Sequence, residues 1–171
     1  LPGLLLSSDI NEYDAAAQIA KTGTPKKGGI IALGANAPYL NMSTGKVVGV
    51  TQVILLDDNS CTGCYDPSFH TFILKSNYQI YSESTRTVDI SSAEGKALVS
   101  KYSITAVPTF LMTGDVAPYD RLRSIWPTVG TVESDGTYIF RTLSAIAGRP
   151  YMDLTTGKLE PNTPPQQAQT Q

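Results

Sequence analysis

The chain has 171 residues, of which 41% are hydrophobic and 16% charged, and its formal net charge is −2. That length and apolar content suffice for one globular domain with its own core and some extension. The charge is small and negative and no basic cluster exceeds Lys26-Lys27, which argues against a surface that tracks nucleic-acid phosphates.

No apolar run approaches the roughly 20 residues that span a bilayer. Leu1 to Leu6 is apolar but stops at Ser7-Ser8-Asp9. It reads as the remnant of a signal or anchor, or as a small packing patch, and the missing initiator Met favours a processed start. Low charge, many Ser and Thr and a Gln/Pro-rich tail suit an extracytoplasmic setting, whether periplasmic, extracellular or at a membrane surface. A single pair of cysteines fits that setting or a cytosolic oxidoreductase.

Residues 1–37 are expected to form an N-terminal extension of a helix and a connector. Asp9 is the helix N-cap with Glu12 three residues on, and Ile10, Tyr13, Ala16, Ala17 and Ala20 follow at helical spacing until Gly23-Thr24-Pro25. One short strand is expected at Ile30–Leu33. The main domain spans 38–159, and 160–171 is a polar, Pro/Gln-rich tail with nothing to bury, expected to be flexible.

An internal echo brackets that domain. Pro38-Tyr39-Leu40-Asn41-Met42-Ser43-Thr44-Gly45-Lys46-Val47 aligns with Pro150-Tyr151-Met152-Asp153-Leu154-Thr155-Thr156-Gly157-Lys158-Leu159. Five of the ten positions are identical and the others are like for like. Such a recurrence marks a tandem array, with one copy opening a domain and the other closing it; a chance recurrence of a strand-turn phrase is the alternative.

Val47 to Leu56 is β-branched and apolar, as a central strand buried on both faces requires. Asp66-Pro67 starts a helix whose apolar face is Phe69, Phe72, Ile73 and Leu74. Tyr78–Tyr81 and Arg86–Ile90 read as strands. Ser91 or Ser92 caps a helix through Ala93, Ala97, Leu98 and Tyr102, with Glu94 at its anion-favouring end. Val107–Met112 is a strand, and Tyr119, Leu122, Ile125 and Trp126 mark a helical turn with Trp126 as packing anchor. Ser134-Asp135-Gly136 joins two strands of a hairpin, 130–133 and 137–141. A last short helix is expected over Thr142–Ala147.

Cys61-Thr62-Gly63-Cys64 carries the candidate chemistry. At a helix start the first sulfur lies near unpaired N–H groups and the positive end of the dipole, which favour thiolate. Cys61 is therefore the expected attacking thiol, and Cys64 the resolving thiol that releases a mixed disulfide. Two other readings stay open. One is a structural disulfide, although closing so short a loop stabilises by only about 2 kcal/mol. The other is a metal held by Cys61, Cys64 and His70, for which a fourth Cys or His ligand is missing. No organic cofactor is called for.

The order of apolar strand, CxxC, helix, Thr87-Val88-Asp89-Ile90 strand, helix ending Lys101-Tyr102-Ser103-Ile104, then Ala106-Val107-Pro108-Thr109-Phe110 resembles the thioredoxin superfamily. The resemblance covers about residues 47–141. It implies an α/β fold, a three-layer α/β/α sandwich around a central mixed sheet. It implies a cis peptide bond before Pro108, with Pro108 facing the CxxC and Val107 pairing by its backbone with a protein thiol or disulfide substrate. Thr109 and Tyr65 complete the substrate-facing set. Two positions depart from the family pattern. Ser60 stands where the family has Trp, and the buried acid leading into the motif falls near Leu55, with Asp57 and Asp58 closer to the thiols. Carboxylates that close oppose thiolate formation. The function implied is a thiol–disulfide oxidoreductase. The alternative is a structural or interaction subunit of a membrane-associated or extracellular assembly. It would keep the fold and an inert disulfide and bind neighbours, as a homo- or hetero-oligomer, through its N-terminal segment and tail.

Overall fold

A computed structural model describes residues 3–7, 23–25, 27, 31–34 and 37–162. The chain divides into two compact units, Leu1–Gly49 and Val50–Gln171. The helix expected over 9–20 and the tail beyond residue 162 lie outside the described residues.

In the first unit, β1 (Gly3–Leu6), β2 (Gly23–Pro25) and β3 (Ile31–Gly34) form an antiparallel sheet in the order β1-β3-β2. The strand expected at 30–33 is met by β3, which runs one residue further to Gly34, residue 30 lying outside the described residues. A hairpin follows, made of β4 (Tyr39–Asn41) and β5 (Lys46–Val48).

The second unit is an α/β structure with β6 (Thr51–Asp57), α1 (Ser68–Tyr78), β7 (Ser84–Asp89), α2 (Ala93–Tyr102), β8 (Ala106–Val107), β9 (Thr109–Gly114), α3 (Asp120–Val129), β10 (Gly130–Val132) and β11 (Tyr138–Phe140). A 3-10 turn at Leu143–Ala145 replaces the expected last helix, and β12 (Tyr151–Asp153) with β13 (Lys158–Glu160) makes a closing hairpin. Five strands form a mixed sheet in the order β10-β11-β9-β6-β7, with β6 parallel to β7 and antiparallel to β9. A separate three-stranded sheet runs β13-β12-β8.

Strand alternation assigns the two faces of the large sheet. On one face Leu56, Val88, Leu111 and Ile139 pack with Tyr102 of α2, Ile104 and Val107. On the other, Phe110 and Phe140 stack at 5.6 Å between centroids. There they meet His70 of α1 at 4.9 and 5.1 Å, and Trp126 of α3 lies 5.8 Å from Phe110. One helix therefore covers one face and two cover the other.

Several local readings need correction. The single strand expected from Val47 to Leu56 is two strands, because Gly49 takes φ +82° and turns the chain between β5 and β6. The buried side chains of α1 are His70 and Leu74, whereas Phe72 is 63% exposed and stacks on Phe69 at 6.1 Å. No strand forms at Tyr78–Tyr81: α1 runs to Tyr78, Gln79 ends it in the left-handed region, and pairing resumes at Ser84. The N-cap of α2 is Ser92, whose Oγ accepts from Gly95 N at 2.9 Å.

Candidate functional site

The site is built on the loop between β6 and α1. Asp57 closes β6, and its carbonyl accepts from Ile90 N at 2.8 Å. Asp58 Oδ1 accepts from Ser60 N and Ser60 Oγ at 2.9 and 2.6 Å, and Cys61 N donates to Asp58 O at 2.9 Å. Asn59 N donates across the sheet edge to Asp89 Oδ2 at 2.8 Å. These bonds hold the loop that presents Cys61. Cys61 and Cys64 are joined as a disulfide with their Cα atoms 5.5 Å apart, and both are half-buried.

The pair does not sit at a helix start, contrary to the expectation from the CxxC alone. The first residue of α1 is Ser68, so both cysteines precede the helix, and Ser68 N already donates to Asp66 Oδ1 at 2.8 Å. The Asp66-Pro67 step delays the helix and leaves the sulfurs without the help of the dipole, which acts within the first turn. Their surroundings are acidic instead. Burial raises the Asp57 carboxyl above its ordinary range, and the charges of Asp58, Asp66 and Asp89 add to that. Serine hydrogen bonds keep Asp66 and Asp89 below theirs, with Ser68 acting on Asp66 and Ser91 on Asp89.

Tyr65 links this loop to the proline strand. It is 7% exposed and its hydroxyl donates to Pro108 O at 2.7 Å. His70 Nε2 lies 2.7 Å from the same hydroxyl. With the hydroxyl hydrogen given to Pro108, the imidazole donates from Nε2, which sets a neutral tautomer. Burial pushes the His70 pKa down to about 4 and pushes the Tyr65 phenol up. His70 also borders an apolar cavity of about 200 Å³ shared with Leu74, Phe110, Trp126 and Phe140.

The Val107–Pro108 peptide bond is cis. Val107 and Pro108 are fully buried, and Thr109, 1% exposed, donates its hydroxyl to Phe140 O at 2.5 Å. So the structure brings Tyr65 to Pro108, but it withdraws the side chains of Tyr65, Val107, Pro108 and Thr109 from solvent. The backbone edge of Val107 is occupied as well. Met152 of β12 pairs with Val107 and Asp153 with Ala106, while Leu154 N donates to Thr105 O at 2.8 Å.

The closing hairpin also reaches the cysteine loop. Pro150 O accepts from Tyr65 N at 3.0 Å, and the Arg149 guanidinium lies 3.4 Å from the Phe69 ring centroid. A Cβ added at Gly63 would fall 2.6 Å from a Leu159 methyl, so Leu159 lies over the middle of the CxxC. Sequence reasoning weighed His70 as a metal ligand and missed its bond to Tyr65, and it missed the places of Met152 and Leu159 in the site. The echo drew the eye to the last two as a repeat, and no local pattern announced where they land. A metal held by Cys61, Cys64 and His70 is not offered by this geometry, since the sulfurs are bonded to each other and His70 Nε2 faces Tyr65. No family, curated protein or solved structure matches the chain.

Proposed function

We propose that Val50–Gln171 is a thioredoxin-superfamily domain and that its Cys61–Cys64 pair exchanges with disulfides of protein substrates outside the cytoplasm. The observation that carries this reading is the juxtaposition at Tyr65. The residue after Cys64 is hydrogen-bonded to the carbonyl of Pro108, so the dithiol loop and the cis-proline turn are one assembly, with both cysteine residues only half-buried. In the reduced form, Cys61 thiolate attacks a substrate disulfide and forms a mixed disulfide while one substrate sulfur leaves as thiolate. Cys64 thiolate then attacks the Cys61 sulfur. The substrate departs with both its sulfurs reduced, and the oxidised pair remains. Substrate oxidation is the same sequence reversed.

The test is equilibration of the pair with glutathione or dithiothreitol buffers, with Cys61→Ser as the blank. A potential between about −270 and −120 mV is expected for a working pair. A value below about −300 mV, or no exchange, overturns the reading.

A second reading has its own observation. The Val107 edge, where the family resemblance would seat a substrate strand, is filled by Met152 of the same chain. A domain closed in this way suits an interaction subunit of an extracellular or membrane-associated assembly, with the disulfide as a staple.

A further inference from the structure

The two echoed segments fold alike. In the β4–β5 hairpin Tyr39 pairs with Val48, Leu40 with Val47 and Asn41 with Lys46. In the β12–β13 hairpin Tyr151 pairs with Glu160, Met152 with Leu159 and Asp153 with Lys158. The register is identical position for position. So is the turn. Asn41 Oδ1 accepts from Ser43 N and Thr44 N at 3.0 and 3.3 Å, and Asp153 Oδ1 from Thr155 N and Thr156 N at 2.7 and 3.2 Å. Gly45 and Gly157 both take φ +67°, and their N–H groups donate to Asn41 O and Asp153 O at 2.7 and 2.8 Å.

Only the environments differ. In the closing hairpin Met152 pairs along β8, Met152 and Leu154 pack against the core cluster, and Leu159 crosses Gly63. Their counterparts in the first hairpin are Leu40, Met42 and Val47, which are 46%, 73% and 56% exposed, whereas Met152 and Leu154 are partly buried and Leu159 is 46% exposed. Three apolar side chains in water on a hairpin this short are a cost without a return unless something covers them. The sequence and turn that seat one hairpin on a β8 edge are present a second time, with their apolar face open.

We propose that β4–β5 is a clasp whose receptor is the β8 edge of a second copy of this chain. It takes there the place that β12–β13 holds in its own domain, with Leu40 opposite Val107 and Asn41 opposite Ala106. The interaction is a strand addition, with backbone bonds giving affinity and Leu40, Met42 and Val47 filling the places of Met152, Leu154 and Leu159. The tethered hairpin competes at a high effective concentration, so exchange between copies grows when its hold is weakened. The contact is head-to-tail, and it closes as a reciprocal pair or extends as a chain of copies.

The experiment uses the full chain. Met152→Asp with Leu154→Asp weakens the closing hairpin, and sedimentation velocity over a hundredfold concentration range then reads self-association. The expected result is at least a tenfold tighter association than that of the unaltered chain, abolished by adding Leu40→Asp and Met42→Asp. Association that ignores Leu40 and Met42, or a folded monomer throughout, overturns the proposal. A second measurement does not depend on the folding of that variant. Full chains carrying Asn41→Cys alone and Ala106→Cys alone, otherwise unaltered, are mixed under mild oxidation. A mixed disulfide between them is expected, at least tenfold in excess of that formed between Ser43→Cys and Ala106→Cys chains. Equal yields from both mixtures overturn the clasp.

Discussion

His70 shares a buried hydrogen bond with Tyr65, and the burial of its imidazole makes the fold sensitive to mild acid. In the unfolded chain the imidazole takes up a proton near its ordinary 6.5; in the fold burial delays this to about 4. A base whose folded pKa is depressed contributes stability that is fully present above 6.5 and lost as pH falls toward 4. Between pH 7 and pH 5 the loss is about 2 kcal/mol at most. Asp57, whose carboxyl is raised by burial, works the other way, gaining stability at lower pH and blunting the acid end of that window. Urea midpoints at the two pH values check this. The unaltered chain should weaken between them, and His70→Phe should flatten the difference; equal slopes would place the acid sensitivity elsewhere. Thr51 offers the opposite case. It is 0% exposed and its Oγ1 has no hydrogen-bond partner among the described residues, so the hydroxyl is desolvated without return. Thr51→Val should raise stability by roughly 1 kcal/mol, read as a higher urea midpoint at unchanged slope. A fall would mean that the hydroxyl is satisfied in solution.

The closing hairpin decides how open the cysteine pair is. Leu159 is 46% exposed yet lies against Gly63, so it shields the loop without being held in the core. Leu159→Ala should speed reduction of the disulfide by dithiothreitol severalfold while leaving the unfolding midpoint nearly unchanged. An unchanged rate would show that β13 is not a cover. Elements with local punctuation were legible in the sequence. Ser91-Ser92 before Ala93 announced α2, with Ser92 proving the cap, and Ser134-Asp135-Gly136 announced the β10–β11 turn, where Gly136 takes φ +81°. The echo told that two segments share one form, and both are hairpins. What was not legible is set by partners distant in the chain. The inward face of α1 is His70 and Leu74 rather than Phe69 and Phe72 because Phe110 and Phe140 arrive from strands some forty and seventy residues on. Likewise nothing near Val107 says that its edge will be taken by Met152. The cis-proline turn was implied by the family resemblance at Ala106-Val107-Pro108-Thr109-Phe110, whereas the burial of the side chains around it depends on that late hairpin.

The division at Gly49 makes a claim about folding that can be tested directly. Leu56, Val88, Tyr102, Ile104, Val107, Leu111 and Ile139, the cluster under α2, all come from the second unit. So do the aromatic residues of the opposite face, His70, Phe110, Trp126 and Phe140. All five strands of the mixed sheet and both anchors of the closing hairpin belong to it as well. A piece of about 120 residues buries enough of its own surface to stand alone. Its expected behaviour is therefore that of an independent domain. Val50–Gln171 produced alone should unfold in one cooperative transition, with coincident far- and near-ultraviolet circular dichroism, and should keep the Cys61–Cys64 disulfide. Its midpoint should match the corresponding transition of the full chain within a few degrees. A fragment that melts without cooperativity, or much earlier, would mean that residues 1–49 complete the core, and the boundary at Gly49 would have to be abandoned. A cooperative fragment would give the first hairpin a different standing: a copy of the clasp that closes this domain, carried on a segment the domain does not need in order to fold.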